Sequence, residues 1–202
     1  MSTAYEKTGR TNQKLRTRTA LIAAARDLIS RGGAAPTVEE AAAEAAVSRT
    51  TAYRYFPSQR ALLVAAHPEV DAATMLPDDT SDDPEERLLA AVSAFTAMIA
   101  ETEPQQRTML RLSLEESPEA RNLPLRQGRA VGWFVDALSV LRPALSEADL
   151  RRIAIAVRSA VGIEARVWLT DVAGVSGEEA ERLMRWSAQA ILRHALSDGL
   201  PD

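Results

Sequence analysis

The stretch Thr37–Leu63, TVEEAAAEAAVSRTTAYRYFPSQRALL, decides the fold. It predicts two short helices joined by a tight turn, followed by the start of a third. Thr37 is a good N-cap, and Glu40 follows three residues later, the spacing of a capping box. Ala41, Ala42, Ala45 and Val47 give the first helix a small apolar face. Ser48 caps the second helix, which ends at Phe56-Pro57. That second helix carries Arg49, Thr50, Thr51, Tyr53, Arg54 and Tyr55, with no acidic residue among them. A helix lying in a DNA major groove needs this combination: groups that bond base edges, groups that hold phosphates, and no charge that repels them.

Outward from this stretch the chain reads as helical throughout. Upstream, Leu21, Ile22, Ala25, Leu28 and Ile29 repeat at helical spacing, which predicts a first helix over about 12–31 that Gly32-Gly33 ends. Downstream, a fourth helix starts at Ser58 and is interrupted near His67-Pro68. Residues 77–84, PDDTSDDP, form an acidic, proline-punctuated linker. Beyond it, Asp83 as cap, Pro84 in the first position and Glu85-Glu86 in the first turn open a helix to about Glu101. Further helices are expected over about 104–115, 121–141, 146–171 and 176–196, the last two capped by Ser146 and Ser176. The expected fold is all-α, with about nine helices and no strands.

Composition narrows the function. The chain has 202 residues and no cysteine, which excludes disulfides, thiolate nucleophiles and zinc–thiolate sites. It has only two histidines, His67 and His194, far apart and without a second ligand at metal spacing, so no metal site and no cofactor are expected. No apolar run is long enough for a membrane span, and the polar, basic N-terminus lacks a signal core; a cytoplasmic location is expected. The net charge of −4 hides a segregation. Residues 1–60 carry ten Lys and Arg against five acids, whereas the rest carries 14 against 23. A basic nucleic-acid module joined to an acidic module would show this asymmetry.

Val47-Ser48, then Thr51-Ala52-Tyr53-Arg54-Tyr55-Phe56, then Ser58-Gln59-Arg60-Ala61-Leu62-Leu63 resemble the helix-turn-helix of the tetracycline-repressor (TetR) family of bacterial transcription regulators. Leu21–Ile29 with Gly32-Gly33 is similar to the first helix of that family. The similarity covers about residues 15–66; beyond it only length and helical layout agree. There are three departures. Ala46 stands where a turn glycine is usual, Ala41 where a larger apolar residue is usual, and Gln59 where many members have a phosphate-binding lysine. The resemblance implies a DNA-binding domain over 1–66, a linker over 67–84, and a helical effector-binding and dimerisation domain over 85–202.

The candidate DNA contacts follow from both lines of reasoning. Arg49 is the best candidate for a base, since arginine to guanine is the commonest specific pair. Ser48, Thr50, Thr51 and Arg54 lie beside it, and Tyr53 and Tyr55 resemble the family's phosphate-binding hydroxyls. Thr37 sits at a helix N-terminus, where free N–H groups suit a phosphate. Lys14, Arg16 and Arg18 form a basic arm; a minor-groove contact and a solvated terminus both remain open for it.

By resemblance, a small-molecule effector would sit among Phe95, Met98, Ile99, Met109, Leu112, Arg129, Trp133, Phe134 and Trp168, although Met and aromatic residues at helical spacing equally describe an ordinary core. A homodimer through the last two helices is implied, using Ile153, Val157, Val161 and Trp168 with Leu183, Met184, Ile191 and Leu196. The expected activity is that of a ligand-responsive repressor on a palindromic double-stranded operator. The alternatives are a regulator without effector, or an activator. An all-helical enzyme or carrier finds no support, because no phosphate-cradling glycine loop and no paired carboxylates face a site.

Overall fold

The computed structural model describes residues 4–31, 35–67, 74–114 and 128–200. The described residues are helical with no strand. In chain order the helices are α1 (Ala4–Ser30), α2 (Val38–Glu44), α3 (Arg49–Tyr55), α4 (Gln59–Ala66), α5 (Pro84–Glu101), α6 (Glu103–Ser113), α7 (Arg129–Ala137), α8 (Glu147–Ala160), α9 (Ile163–Val167) and α10 (Gly177–Ser197). A 3₁₀ turn, Leu138–Leu141, follows α7, and a π turn, Trp168–Val172, follows α9.

Two compact units divide the chain. The first comprises Met1–Val70 with Thr108–Arg126, and the second Asp71–Arg107 with Gln127–Asp202. The division does not follow the linear order of a 1–66 domain, a 67–84 linker and an 85–202 domain, because the second half of α6 groups with the first unit. Met109 and Leu112 supply the reason: both are buried in the apolar cluster of α1–α4.

In the first unit, α1 packs on α2 and α4, and α2 packs on α3. Leu21, Ala25 and Ile29 of α1 meet Val38, Ala41, Ala42, Ala52, Phe56, Leu62 and Leu63 in one buried cluster. Arg26 closes the α1–α4 contact, its Nε donating to the Ala66 carbonyl at 2.9 Å. Helix α4 stops at Ala66, and His67 is extended (φ −61°, ψ 130°), the conformation that Pro68 imposes on its predecessor. Pro68 itself lies outside the described residues.

Helix α1 begins at Ala4, well before the expected residue 12. Leu15, Lys14, Gln13 and the arginines have good helix propensity, and no proline interrupts them. The turn between α2 and α3 is a Schellman motif. Val47 N–H donates to the Ala42 carbonyl at 2.8 Å and Ala46 N–H to the Ala43 carbonyl at 3.2 Å. Ala46 sits at its left-handed position with φ 51°, the one non-glycine residue with positive φ among the described residues.

In the second unit, α10 packs along α5 and α8, and α7 packs on α5 and α8. The buried layer contains Leu88, Val92, Phe95, Trp133, Phe134, Leu150, Ile153, Val157, Met184, Ala188 and Leu192. The expected caps form: Asp83 Oδ1 accepts from Glu86 N–H at 2.8 Å, Ser146 Oγ from Asp149 N–H at 3.1 Å, and Ser176 Oγ from Glu179 N–H at 3.1 Å. Two expected helices differ. The 121–141 segment is helical from Arg129 and tightens to 3₁₀ at Leu138, while 121–127 lie outside the described residues. The 146–171 helix is broken at Gly162, whose φ of 124° no L side chain adopts comfortably.

An ion-pair network ties the short elements together. Arg166, a residue only 8% exposed, meets Glu103 at 2.7 Å and Glu181 at 3.1 Å through its guanidinium. Arg107 reaches Glu103 at 2.7 Å and grips Asp171 with two bonds of 2.6 and 2.8 Å. Those Arg107 bonds hold the Asp171 carboxyl down to about 2.

Two predictions follow from this architecture. Left-handed backbone costs a residue with a Cβ roughly 1–2 kcal/mol, against an added unfolded-state entropy of about 0.4–1 kcal/mol for glycine. Ala46→Gly should therefore stabilise the chain by roughly 0.5–1 kcal/mol in a urea titration. The second concerns Glu85, which accepts from Arg193 at 2.6 and 2.7 Å and from Gln189 at 2.6 Å. The Arg193 and Gln189 bonds lower its carboxyl from 4.5 to about 2. A carboxylate with a depressed folded-state pKa adds stability above its unfolded value and loses it as pH falls towards the folded one. The melting midpoint should drop between pH 4.5 and about 2, and Glu85→Gln should remove its share of that drop in thermal circular dichroism.

Candidate nucleic-acid interface

Helix α3 has only seven residues, and its orientation is set by caps and by one buried side chain. Ser48 Oγ accepts from Thr51 N–H at 3.2 Å and its hydroxyl donates to Thr51 Oγ1 at 2.9 Å. Ala52 is wholly buried, and Phe56 at the C-cap is 3% exposed. These two positions turn one side of α3 to the core, so that Arg49, Thr50, Tyr53 and Arg54 lie on the exposed side. Tyr55 is half-buried and packs against the core cluster, whereas Tyr53 is exposed. Tyr55 follows Ala52 at the i, i+3 spacing that places both on one face of the helix.

Two aromatic rings of α3 carry cations. The Arg49 guanidinium lies 5.9 Å from the Tyr53 ring centre, and that of Arg54 5.9 Å from the Tyr55 ring centre. Such stacking limits the rotamers of two long side chains and presents their N–H groups outward.

The basic residues of α1 are helical and do not form an arm preceding it. Lys14, Arg16 and Arg18 are all exposed on α1, and Thr17 of the same turn bonds back to the Gln13 carbonyl at 3.0 Å. The structure separates them. Lys14, with Gln13 and Thr17, lines one wall of an open cleft of about 320 Å³ whose other wall is Thr51, Arg54 and Tyr55. Arg18 instead covers the Phe56 ring at 5.5 Å. Arg16 lines neither feature.

Thr37 has a different occupation from the one its position suggests. Its N–H donates to Glu40 Oε2 at 2.7 Å and its hydroxyl to the same oxygen at 2.9 Å, while Glu40 N–H returns a bond to Thr37 Oγ1 at 3.1 Å. The Thr37 N–H lowers the Glu40 carboxyl below its ordinary value. The Thr37 and Glu40 N–H groups of this helix start are thus engaged within the capping box.

Two residues that sequence reasoning gave no contact role shape this surface. Gln59 donates its side-chain amide to the carbonyls of Ala35 and Pro36 at 2.7 and 3.2 Å, pinning the backbone before α2 to the start of α4. Glu39 ion-pairs with Arg49, and its Oε1 accepts from the Tyr53 hydroxyl at 2.9 Å. The available signal was the doubled glutamate: the capping box uses only Glu40, which leaves Glu39 one position round the helix.

The candidate effector residues do not gather in one place. Phe95 packs on Trp133 and Phe134 with ring centres 6.0 and 5.7 Å apart, a buried aromatic core. Met98 and Arg129 are half-buried. Met109 and Leu112 belong to the core of the first unit. Trp168 is 58% exposed on the π turn and lines a surface groove of about 310 Å³ with Leu169, Leu183, Met184 and Trp186. Helical spacing of apolar residues is common to cores and pockets, and here it mostly marks cores.

No curated protein matches the chain. Residues 21–66 match the family described as bacterial regulatory proteins, tetR family. Among solved structures the chain is similar to a TetR transcriptional regulator from Rhodococcus sp. RHA1, with 20% identity and a TM-score of 0.52, over 90% of this chain and 98% of that one. The similar fold extends well beyond the matched region, and the buried positions of α1–α4 fall within it. The chain therefore carries, at residues 21–66, the helix-turn-helix region of the tetR family of bacterial regulatory proteins, within an all-helical fold similar to that of a TetR transcriptional regulator.

Proposed function

We propose that the protein is a cytoplasmic transcriptional repressor that binds a palindromic DNA operator as a homodimer and is released by a small molecule. The observation that carries this reading is the exposed side of α3: Arg49, Thr50, Tyr53 and Arg54 project from a capped helix with no acid of its own. Arginine offers guanine two donors in one plane, and threonine and tyrosine hydroxyls suit base edges or phosphates. Lys14 across the cleft from Arg54 adds a cation suited to the DNA backbone.

One helix-turn-helix covers one half-site, and a palindrome requires two about 34–36 Å apart. The second unit supplies a surface suited to pairing. Leu183, Trp186, Ser187 and Ala190 recur on one face of α10, with Trp186 65% exposed and Trp168 beside it. Two exposed tryptophans flanking small residues suit a self-complementary contact. This face keeps Trp168 and Leu183 of the set expected from the sequence, whereas Ile153, Val157, Val161 and Met184 of that set are buried within the unit. A small-molecule response is supported by Gln106, 5% exposed, whose side-chain nitrogen meets no acceptor among the described residues. A buried donor left so costs about 1–3 kcal/mol, which a ligand acceptor would offset.

The reading is tested by selecting duplexes from a random pool with the purified protein, and by binding to the DNA beside its own coding sequence. Sequence-specific binding that survives moderate salt supports it; weak binding that salt abolishes would mean phosphate attraction without readout. Arg49→Ala should cost about 1–3 kcal/mol on the selected duplex and relax discrimination at one base pair per half-site, read by competition binding. Trp186→Glu should convert a dimer to a monomer in sedimentation analysis.

A further inference from the structure

The Glu39 carboxylate meets both Arg49 and Tyr53, the first and fifth residues of α3. We propose that Glu39 is a specificity-determining residue of the DNA-reading surface, one that keeps Arg49 and Tyr53 from engaging phosphates indiscriminately. The inference rests on the DNA-binding reading above. Glu39 is not needed to hold α2, since Glu40 completes the capping box. Nor does the pair contribute much to stability: the Arg49 side chain is 74% exposed and that of Glu39 37%, and ion pairs so open to water are worth little. What the contact changes is the behaviour of Arg49 towards an incoming acceptor.

A phosphate approaching Arg49 meets a carboxylate already bound to it. Either the pair opens, or a phosphate and a carboxylate share one guanidinium at the cost of their mutual repulsion. A base edge is different. Guanidinium has five donors in a plane; Glu39 engages part of that fork, and the Tyr53 ring beneath it limits how the plane turns. Guanine O6 and N7 carry no formal charge and accept from two donors in a fixed plane. The carboxylate thus penalises the sequence-independent contact more than the sequence-dependent one, a form of discrimination that works through repulsion of the wrong partner. Tyr53, a hydroxyl that resembles a phosphate ligand, is restrained by the same oxygen.

The test compares the full-length protein with Glu39→Gln, which keeps the shape and an acceptor for Tyr53 but removes the charge. Binding is measured by fluorescence anisotropy on a random-sequence duplex and on a duplex that the wild-type protein enriches, from about 50 to about 200 mM salt. On the random duplex the variant is expected to bind roughly tenfold tighter at the low-salt end, with a salt slope steeper by about 0.9, the signature of one more phosphate contact. The gain on the enriched duplex should be smaller, so that the ratio of specific to non-specific affinity falls, with the melting midpoint unchanged. Wild-type affinity and slope on the random duplex would overturn the proposal, as would an equal loss on both duplexes, which would make Glu39 a scaffold residue. A wild-type protein that enriches no duplex and does not bind the random one at low salt would overturn the DNA-binding reading and this proposal with it; a variant whose affinities for both duplexes equal those of wild type would overturn this proposal alone.

Discussion

Burial of Ala52 beneath α3 is the contact on which the reading surface depends. Isolated helices shorter than about 12–15 residues are marginal in water, and α3 has seven residues. It persists because Ala52 and Phe56 anchor one side of it in the cluster built by Leu21, Ala25, Leu62 and Leu63. Small residues dominate that contact: Ala41, Ala42 and Ala52 are all buried. Backbones can therefore approach closely, and a larger residue at any of the three would push α2 or α3 outward. The same lightness of packing accounts for the reliance on polar fastenings. Thr37, Ser48 and Ser58 each cap a helix, and Gln59 and Arg26 each tie a side chain to backbone carbonyls of another segment.

Two cations of the first unit are held by carboxylates. Arg49 faces Glu39, and Arg31 at the end of α1 meets Asp27 and Glu44. A surface dense in cations would attract any polyanion, and affinity without discrimination serves a regulator poorly, since the number of competing sites is large. In the role proposed for it, the Glu39 carboxylate opposes a phosphate at Arg49 more than an uncharged base edge. Arg54 differs: it lies on an aromatic ring, across an open cleft from Lys14, and that geometry suits backbone contact more than base readout.

The second unit spends its polar groups differently. Arg166, Glu103, Arg107, Asp171 and Glu181 form a partly buried network that binds the short α9 and the π turn to α6 and α10. Such a network resists deformation because removing one member leaves the others unpaired in a poor solvent. Outside it, the apolar side chains of Trp168, Val172 and Trp186 stay exposed. Their exposure is what suits this face to the pairing proposed for it.

Local chemistry made much of this legible in the sequence. The capping box at Thr37, the caps at Ser48, Asp83, Ser146 and Ser176, the helical class and the α2–turn–α3 pattern all depend on residues within a few positions of each other, so sequence spacing alone determines them. Ala46 was marked only by the resemblance, as a residue standing where a turn glycine is usual; its left-handed φ of 51° is what the structure adds. Tertiary structure decided everything that required two distant segments to meet. It set Glu39 against Arg49 and Tyr53, Gln59 against the Ala35 carbonyl, and Lys14 opposite Arg54. It also assigned Met109 and Leu112 to the first core and left Trp168 at the surface, because helical periodicity states which residues share a face but not what that face meets.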